Sequence, residues 1–150
     1  MILAENHYEN HGPLKRTGGN PLSQGAAAMK FTGICLVTED VPALVAFYSK
    51  IFGCQAEGND THAELNVGGL GLAIFTRQGM EDMAPGSMQG AGYGGITIMF
   101  EVTDTDAEYE RLKELGVEIV KPPATYPWEA RSTWFRDPDG NIVDFFSRVG

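Results

Sequence analysis

The run Trp134-Phe135-Arg136-Asp137-Pro138-Asp139-Gly140-Asn141-Ile142-Val143-Asp144 sets two apolar-alternating segments on either side of a tight turn. Proline, aspartate and glycine in that order favour a reversal of the chain, so Arg131 to Arg136 and Asn141 to Ser147 are expected to be adjacent strands joined by Asp137-Pro138-Asp139-Gly140. Upstream, Val117 to Val120 is a further short strand, and Gly116 before it suits the end of a helix. That helix carries Tyr109, Leu112 and Leu115 and is capped by Asp104 or Asp106; before it, Ile96 to Val102 alternates as a strand. The order is β, α, β, β, β.

The same order occurs in the first half. Phe31 to Val37 is a strand, Thr38-Glu39-Asp40 supplies a cap, and Pro42 falls in the first helical turn, where its missing N–H costs nothing. Leu44, Phe47, Tyr48 and Ile51 form one apolar stripe, with Gly53 after it. Cys54 to Glu57, Thr61 to Val67 and Leu70 to Thr76 read as three strands, the last two joined around Gly68-Gly69. Overlaid, Gly33 to Asp40 falls on Thr97 to Asp104 and Gly69 to Arg77 on Gly140 to Arg148, with Ile74-Phe75-Thr76-Arg77 on Phe145-Phe146-Ser147-Arg148. This is an internal duplication. Between the halves, Gln78 to Gly95 reads as a long mobile linker or lid, with Met80, Met83 and Met88 as an adaptable apolar cover.

The remaining composition limits the setting. With 150 residues, 43% of them apolar, the chain has the material for one core. Twenty acidic against eleven basic residues give a formal charge of −9, which argues against nucleic acid and anionic membrane surfaces as partners. No apolar run approaches the ~20 residues of a membrane helix and no secretory signal pattern opens the chain, so the expectation is a soluble, cytoplasmic protein. Cys35 and Cys54 read as reduced, small apolar residues. Residues 1–28 lack periodicity and read as an N-terminal extension or linker; residues 29–150 are the expected domain, built of modules 29–77 and 95–150.

Paired βαβββ modules, the Phe47-Tyr48…Phe52-Gly53 helix end and above all the Trp134 to Asp144 motif resemble the glyoxalase, bleomycin-resistance and extradiol-dioxygenase group, the vicinal oxygen chelate superfamily. The resemblance implies an α+β fold in which each module curls into an incomplete barrel and paired modules form a cup. It also implies a small-molecule ligand and a homodimer. Metal-dependent members place side chains from the first and last strands of both modules around one divalent ion. Carried over residue by residue, those positions fall on Gly33, Ala73, Thr97 and Asp144. Gly33 and Ala73 donate nothing, Thr97 offers a weak hydroxyl, and Asp144 alone could bind, whereas a catalytic ion typically needs about three protein ligands. A shift of one residue substitutes Thr32 or Ile34 and Ile96 or Ile98, which is no better. No cofactor is predicted, though a divalent metal through other ligands stays open.

Alternation supplies the other candidates. Ile96, Ile98, Phe100 and Val102 should face the helix, leaving Thr97, Met99 and Glu101 toward the cup with Asp144; Cys35 and Val37 face it from the first module. Glu101 and Asp144 are the acid–base candidates, but if Asp144 lies level with Thr97, the four-residue step to Glu101 of ~13 Å keeps them from forming a close pair. Cys35 has no histidine placed to activate it. His62 and Glu64 share a strand face without a third ligand, and His7 and His11 lie in the extension. The proline-stiffened loop Lys121 to Glu129 presents Tyr126 and Trp128, with Arg131 just beyond; aromatic faces and a guanidinium suit a planar or anionic ligand, as a sealed connection would equally suit the aromatics. Three functions follow in order: metal-free binding of a small aromatic or planar organic molecule at Thr97, Met99, Glu101, Tyr126, Trp128, Arg131 and Asp144; a lyase, isomerase or dioxygenase using another metal site or Glu101/Asp144 chemistry; and a structural or assembly role.

Overall fold

The computed structural model describes residues 31–150. The proposed extension, with His7 and His11, lies outside the described residues. Within them the order is β1 (Gly33–Thr38), α1 (Val41–Phe52), β2 (Glu57–Gly58), β3 (His62–Val67), β4 (Leu70–Thr76), α2 (Arg77–Met83), β5 (Thr97–Glu101), α3 (Thr105–Glu114), β6 (Ile119–Tyr126), β7 (Ala130–Arg136) and β8 (Ile142–Arg148). The strands form two four-stranded sheets, ordered β1-β4-β3-β2 and β5-β8-β7-β6. In each, the first strand of the module lies parallel to the last, and the other pairings are antiparallel. Two equivalent βαβββ sheets, neither of them a closed barrel, give the expected α+β architecture.

Local chemistry sets the helix limits. Asp40 accepts from Ala43 N–H at 3.0 Å, Pro42 occupies the first turn, and Gly53 ends α1 at φ 64°, a left-handed conformation that suits glycine. Of the two cap candidates for α3, Asp104 holds the position and accepts from both Asp106 and Ala107 N–H at 3.0 Å. The Leu44, Tyr48 and Ile51 stripe is buried as its spacing requires, and Phe47 packs partly buried beside it.

Three elements differ from the sequence reading. Cys54 to Ala56 are not strand; β2 is only Glu57–Gly58, an outer strand with little to pair against. The proline-rich stretch read as a loop is mostly β6, which tolerates Pro122 and Pro123 because it is an edge strand and its register shifts between Ile119 and Lys121 and again between Lys121 and Ala124. The linker begins with α2 and is tied down afterwards. Glu81 accepts from Gly86 N–H at 2.6 Å and Met88 N–H at 2.8 Å, Arg77 donates to the Met88 carbonyl at 2.7 Å, and Met88 is buried while Met83 remains exposed.

Leu44, Tyr48, Leu65 and Ile74 from the first module and Leu112, Phe135 and Val143 from the second share one core. Burying each such aliphatic or aromatic side chain is worth roughly 1.5–3 kcal/mol. Phe52 meets Phe100 across the modules, their ring centroids 4.7 Å apart. Polar ties follow the same seam: Arg111 donates to the Ile51 carbonyl at 3.0 Å, Lys50 to the Leu115 carbonyl at 2.9 Å, and Tyr48 Oη to Asp137 Oδ2 at 2.6 Å. The helix-bearing faces of the sheets thus meet the core, and the opposite, concave faces carry the remaining side chains.

Candidate ligand site on the second sheet

Strand register fixes what shares the concave face. In the second sheet Met99 pairs with Asp144, Asp144 with Trp134, and Trp134 with Lys121, so these four form one row across β5, β8, β7 and β6. The corresponding row of the first sheet is Cys35, Ala73, Glu64 and Glu57. Asp144 is therefore level with Met99 rather than Thr97. Glu101, opposite Phe146, is one same-face step from it instead of two. The Glu101 carboxylate nevertheless turns to Arg148, 3.3 Å away, an exposed ion pair at the rim.

Lys121 is held at the centre of the aromatic part of this face. Its ammonium donates to Tyr126 Oη at 2.6 Å and Ser132 Oγ at 2.9 Å, and lies 4.3 Å from the Tyr126 ring centroid and 4.5 Å from that of Trp134. Trp128 stacks on the outer side of Tyr126 at 4.5 Å with a 12° interplanar angle and is 68% exposed. Asp144 is buried, and its Oδ1 has no hydrogen-bond partner. Burial pushes its carboxyl above the usual range, while the nearby Trp134, Lys121 and Ser132 side chains pull the other way. The arrangement offers flat apolar faces, one ammonium and one buried carboxyl.

Alternation along β7 makes Ser132 and Trp134 companions of Asp144, whereas Lys121 and Tyr126, an odd number of residues apart on β6, share this face only because the register shifts between Lys121 and Ala124. Arg131 departs from the expected placement. It has the parity of Thr133 and Phe135, faces α3, and grips Asp106 through two bonds of 2.6 and 2.7 Å, holding that carboxyl below the usual range. The concave face of the second sheet does not include its guanidinium.

Of the four positions carried over for a metal, the structure brings two together: Gly33 and Thr97 line one apolar cleft of about 380 Å³ with Met99, Phe31 and Leu70, while Ala73 and Asp144 are not among its lining residues. Gly33 is more than a missing ligand. A Cβ there would run into the carbonyl of Gly71 on the neighbouring strand, so β1 and β4 approach too closely for any side chain at 33. Among the described residues no three His, Cys, Asp or Glu side chains cluster closely enough to hold an ion, and the residues present do not fit the metal of the metal-dependent members. His62 and Glu64 share the concave face of the first sheet and line a polar hollow of about 550 Å³ with Glu57 and Asn66, where His62 packs on Phe75 at 4.9 Å. Cys35 and Cys54 are both free thiols, and burial pushes Cys35 up, away from the reactive thiolate.

With duplicated sheets, parallel first and last strands and the Asp137–Gly140 turn in place, comparison with known proteins is direct. The sequence profile of the glyoxalase/bleomycin resistance protein/dioxygenase superfamily matches residues 30–145. The chain belongs to this superfamily. Among glyoxalase-superfamily relatives, the metallothiol transferase FosB of Lysinibacillus sphaericus is 30% identical over 108 residues, 71% of this chain and 73% of FosB. YraH of Bacillus subtilis is 29% identical over 128 residues, 81% of this chain and all of YraH. A crystal structure of a glyoxalase/bleomycin resistance protein/dioxygenase from Nocardioides superposes with a TM-score of 0.69 at 30% identity, covering 81% of this chain and 84% of that one. No helix among the described residues is long and apolar enough to cross a membrane.

Proposed function

We propose that this glyoxalase-superfamily chain binds a small, planar organic molecule on the concave face of its second sheet, without a metal ion, and does so as a homodimer. The observation that carries this reading is the convergence of Tyr126, Trp128 and Trp134 around Lys121 beside the buried Asp144. Flat rings give a planar ligand area to stack on, and the polar atoms among them fix its orientation. Thr97, Met99 and Glu101 extend the same face along β5. FosB carries metal chemistry in its name, but Gly33, Thr97 and Ala73 give this chain no equivalent ligand set, so its chemistry is not carried over.

The exposed apolar side chains of Phe31 and Leu70, outside the ligand row, favour a second copy as cover, since area of this kind gains stability when taken out of water. The test is a fluorescence titration of Trp128 and Trp134 against flat aromatics and aliphatic sugars, with Trp128→Ala as a control. Saturable quenching by flat aromatics, weakened in Trp128→Ala and not produced by sugars, supports the reading. Equal responses to both classes, or none, would remove it.

A further inference from the structure

Lys121 stands between two bulges of an edge strand, its ammonium 4.3 Å from the Tyr126 ring centroid and 4.5 Å from that of Trp134, with two hydroxyls accepting from it. Ring faces attract cations through their quadrupole, so Tyr126 and Trp134 form a cage for positive charge. Beside the cage lies Asp144, 7% exposed, with Oδ1 buried and unpartnered. A buried acceptor left without a donor costs on the order of 1–3 kcal/mol. Lys121 does not relieve that cost: its hydrogen bonds go to Tyr126 and Ser132. The cage therefore has one acceptor more than its resident cation uses.

We propose that this cage receives an organic cation, a protonated primary or secondary amine attached to a flat ring, and that the Lys121 ammonium is an internal stand-in that leaves when the ligand arrives. The ligand's N–H donates to Asp144 Oδ1, its charge takes the place of Lys121 between Tyr126 and Trp134, and its ring extends toward the exposed Trp128. Lys121 can leave because its four-carbon stem rises from an outermost strand, where rotation about side-chain bonds carries the ammonium into water without moving the sheet. The other cations on this face are in ion pairs, Arg136 with Glu118 and Arg148 with Glu101, and Arg131 is on the opposite face with Asp106. A net charge of −9 favours an incoming cation over an anion at long range.

The inference rests on the second sheet being the ligand face, and the test separates the two. Isothermal titration of the full chain with benzylamine, benzyl alcohol and benzoate compares one ring with three charges. The expected order is benzylamine tightest and benzoate weakest. Lys121→Met, which removes the resident ammonium and keeps a flexible stem, tightens benzylamine about tenfold, within the range of the cation–π contacts released. Asp144→Asn, checked for folding by circular dichroism, removes the preference for benzylamine over benzyl alcohol. If Lys121→Met leaves benzylamine binding unchanged or weaker, or if the wild type prefers benzoate, the cage does not act as proposed. Binding of benzyl alcohol or benzoate without benzylamine would overturn the cation and keep the ligand face; failure of all three would remove both.

Discussion

Replacing Tyr48 with phenylalanine tests how the signature turn is fastened to the rest of the domain. Tyr48 is fully buried on α1, and its hydroxyl donates to Asp137 Oδ2 at 2.6 Å. The same carboxylate accepts from Asp139 N–H at 3.0 Å, Asn141 N–H at 2.9 Å and Asn141 Nδ2 at 2.8 Å, which shapes the turn between β7 and β8. Phenylalanine keeps the ring and leaves little void, so the change isolates one hydrogen bond to a charged acceptor, worth about 2 kcal/mol. For a domain of this size that lowers Tm by about 8 °C.

Alkali supplies a second readout of the same bond. Burial, the bond to Asp137 and the charges of Asp137 and Asp139 hold the Tyr48 phenol well above its ordinary value of 10.0. Above pH 10 the unfolded chain gives up this proton and the folded one keeps it, so the folded state binds more protons and stability falls as pH rises. The slope from this group is about 1.4 kcal/mol per pH unit, and Tyr48→Phe abolishes that share. Urea unfolding of both proteins from pH 7 to 11 measures each effect. A Tyr48→Phe protein within 0.5 kcal/mol of the parent at pH 7 (roughly the scatter of surface substitutions), or one with an unchanged alkaline slope, would show that the turn does not depend on α1.

Gly33→His restores the residue type of a metal-dependent member; because β1 has no room for a side chain at 33, it should cost more than about 2 kcal/mol by thermal unfolding and gain no stoichiometric metal by elemental analysis. The Asp144 carboxyl is raised by burial, so the folded state holds its proton longer and stability falls as pH climbs from the ordinary 3.8 through the raised value; Asp144→Asn should lose this acidic-range slope in urea titrations. Arg131→Ala should leave both the thermal midpoint and the affinity for flat aromatics nearly unchanged, since its solvent-screened ion pair with Asp106 is on the helix side; a loss of aromatic binding in titrations of this variant would return Arg131 to the ligand face. Sedimentation equilibrium at micromolar concentration should return twice the 16.3 kDa chain mass, and a result at 16.3 kDa would remove the dimer.

Where periodicity met a strong local signal, the sequence was readable. The Leu44–Tyr48–Ile51 stripe with Asp40 and Gly53, and the Asp137–Gly140 turn, state their structure through spacing and backbone preference alone. The duplication extended that legibility to both sheets. The Lys121 cluster was harder, because Pro122 and Pro123 suggest a loop, and only the edge position of β6 with its two register shifts makes them compatible with a strand. Arg131 was legible in part: alternation along β7 puts it on the face of Thr133 and Phe135, but nothing in the local sequence shows that Asp106, 25 residues earlier, is its partner. The crowding at Gly33 comes from the approach of β4, a tertiary fact that no local pattern records.

The proline-bearing β6 also bears on how copies of this chain can meet. A sheet grows when an outer strand offers free N–H and carbonyl groups to another chain. Here one sheet ends in the two residues of β2, and the other in a strand where Pro122 and Pro123 have no N–H to give and the shifts in register distort the hydrogen-bonding line. Each sheet thus ends in a blunted margin on that side, and strand-by-strand addition there has little to propagate along. Two copies can still come together face to face, an association that closes on itself; the same proline pair that hides β6 from a sequence reader guards the domain against fibre growth from that margin.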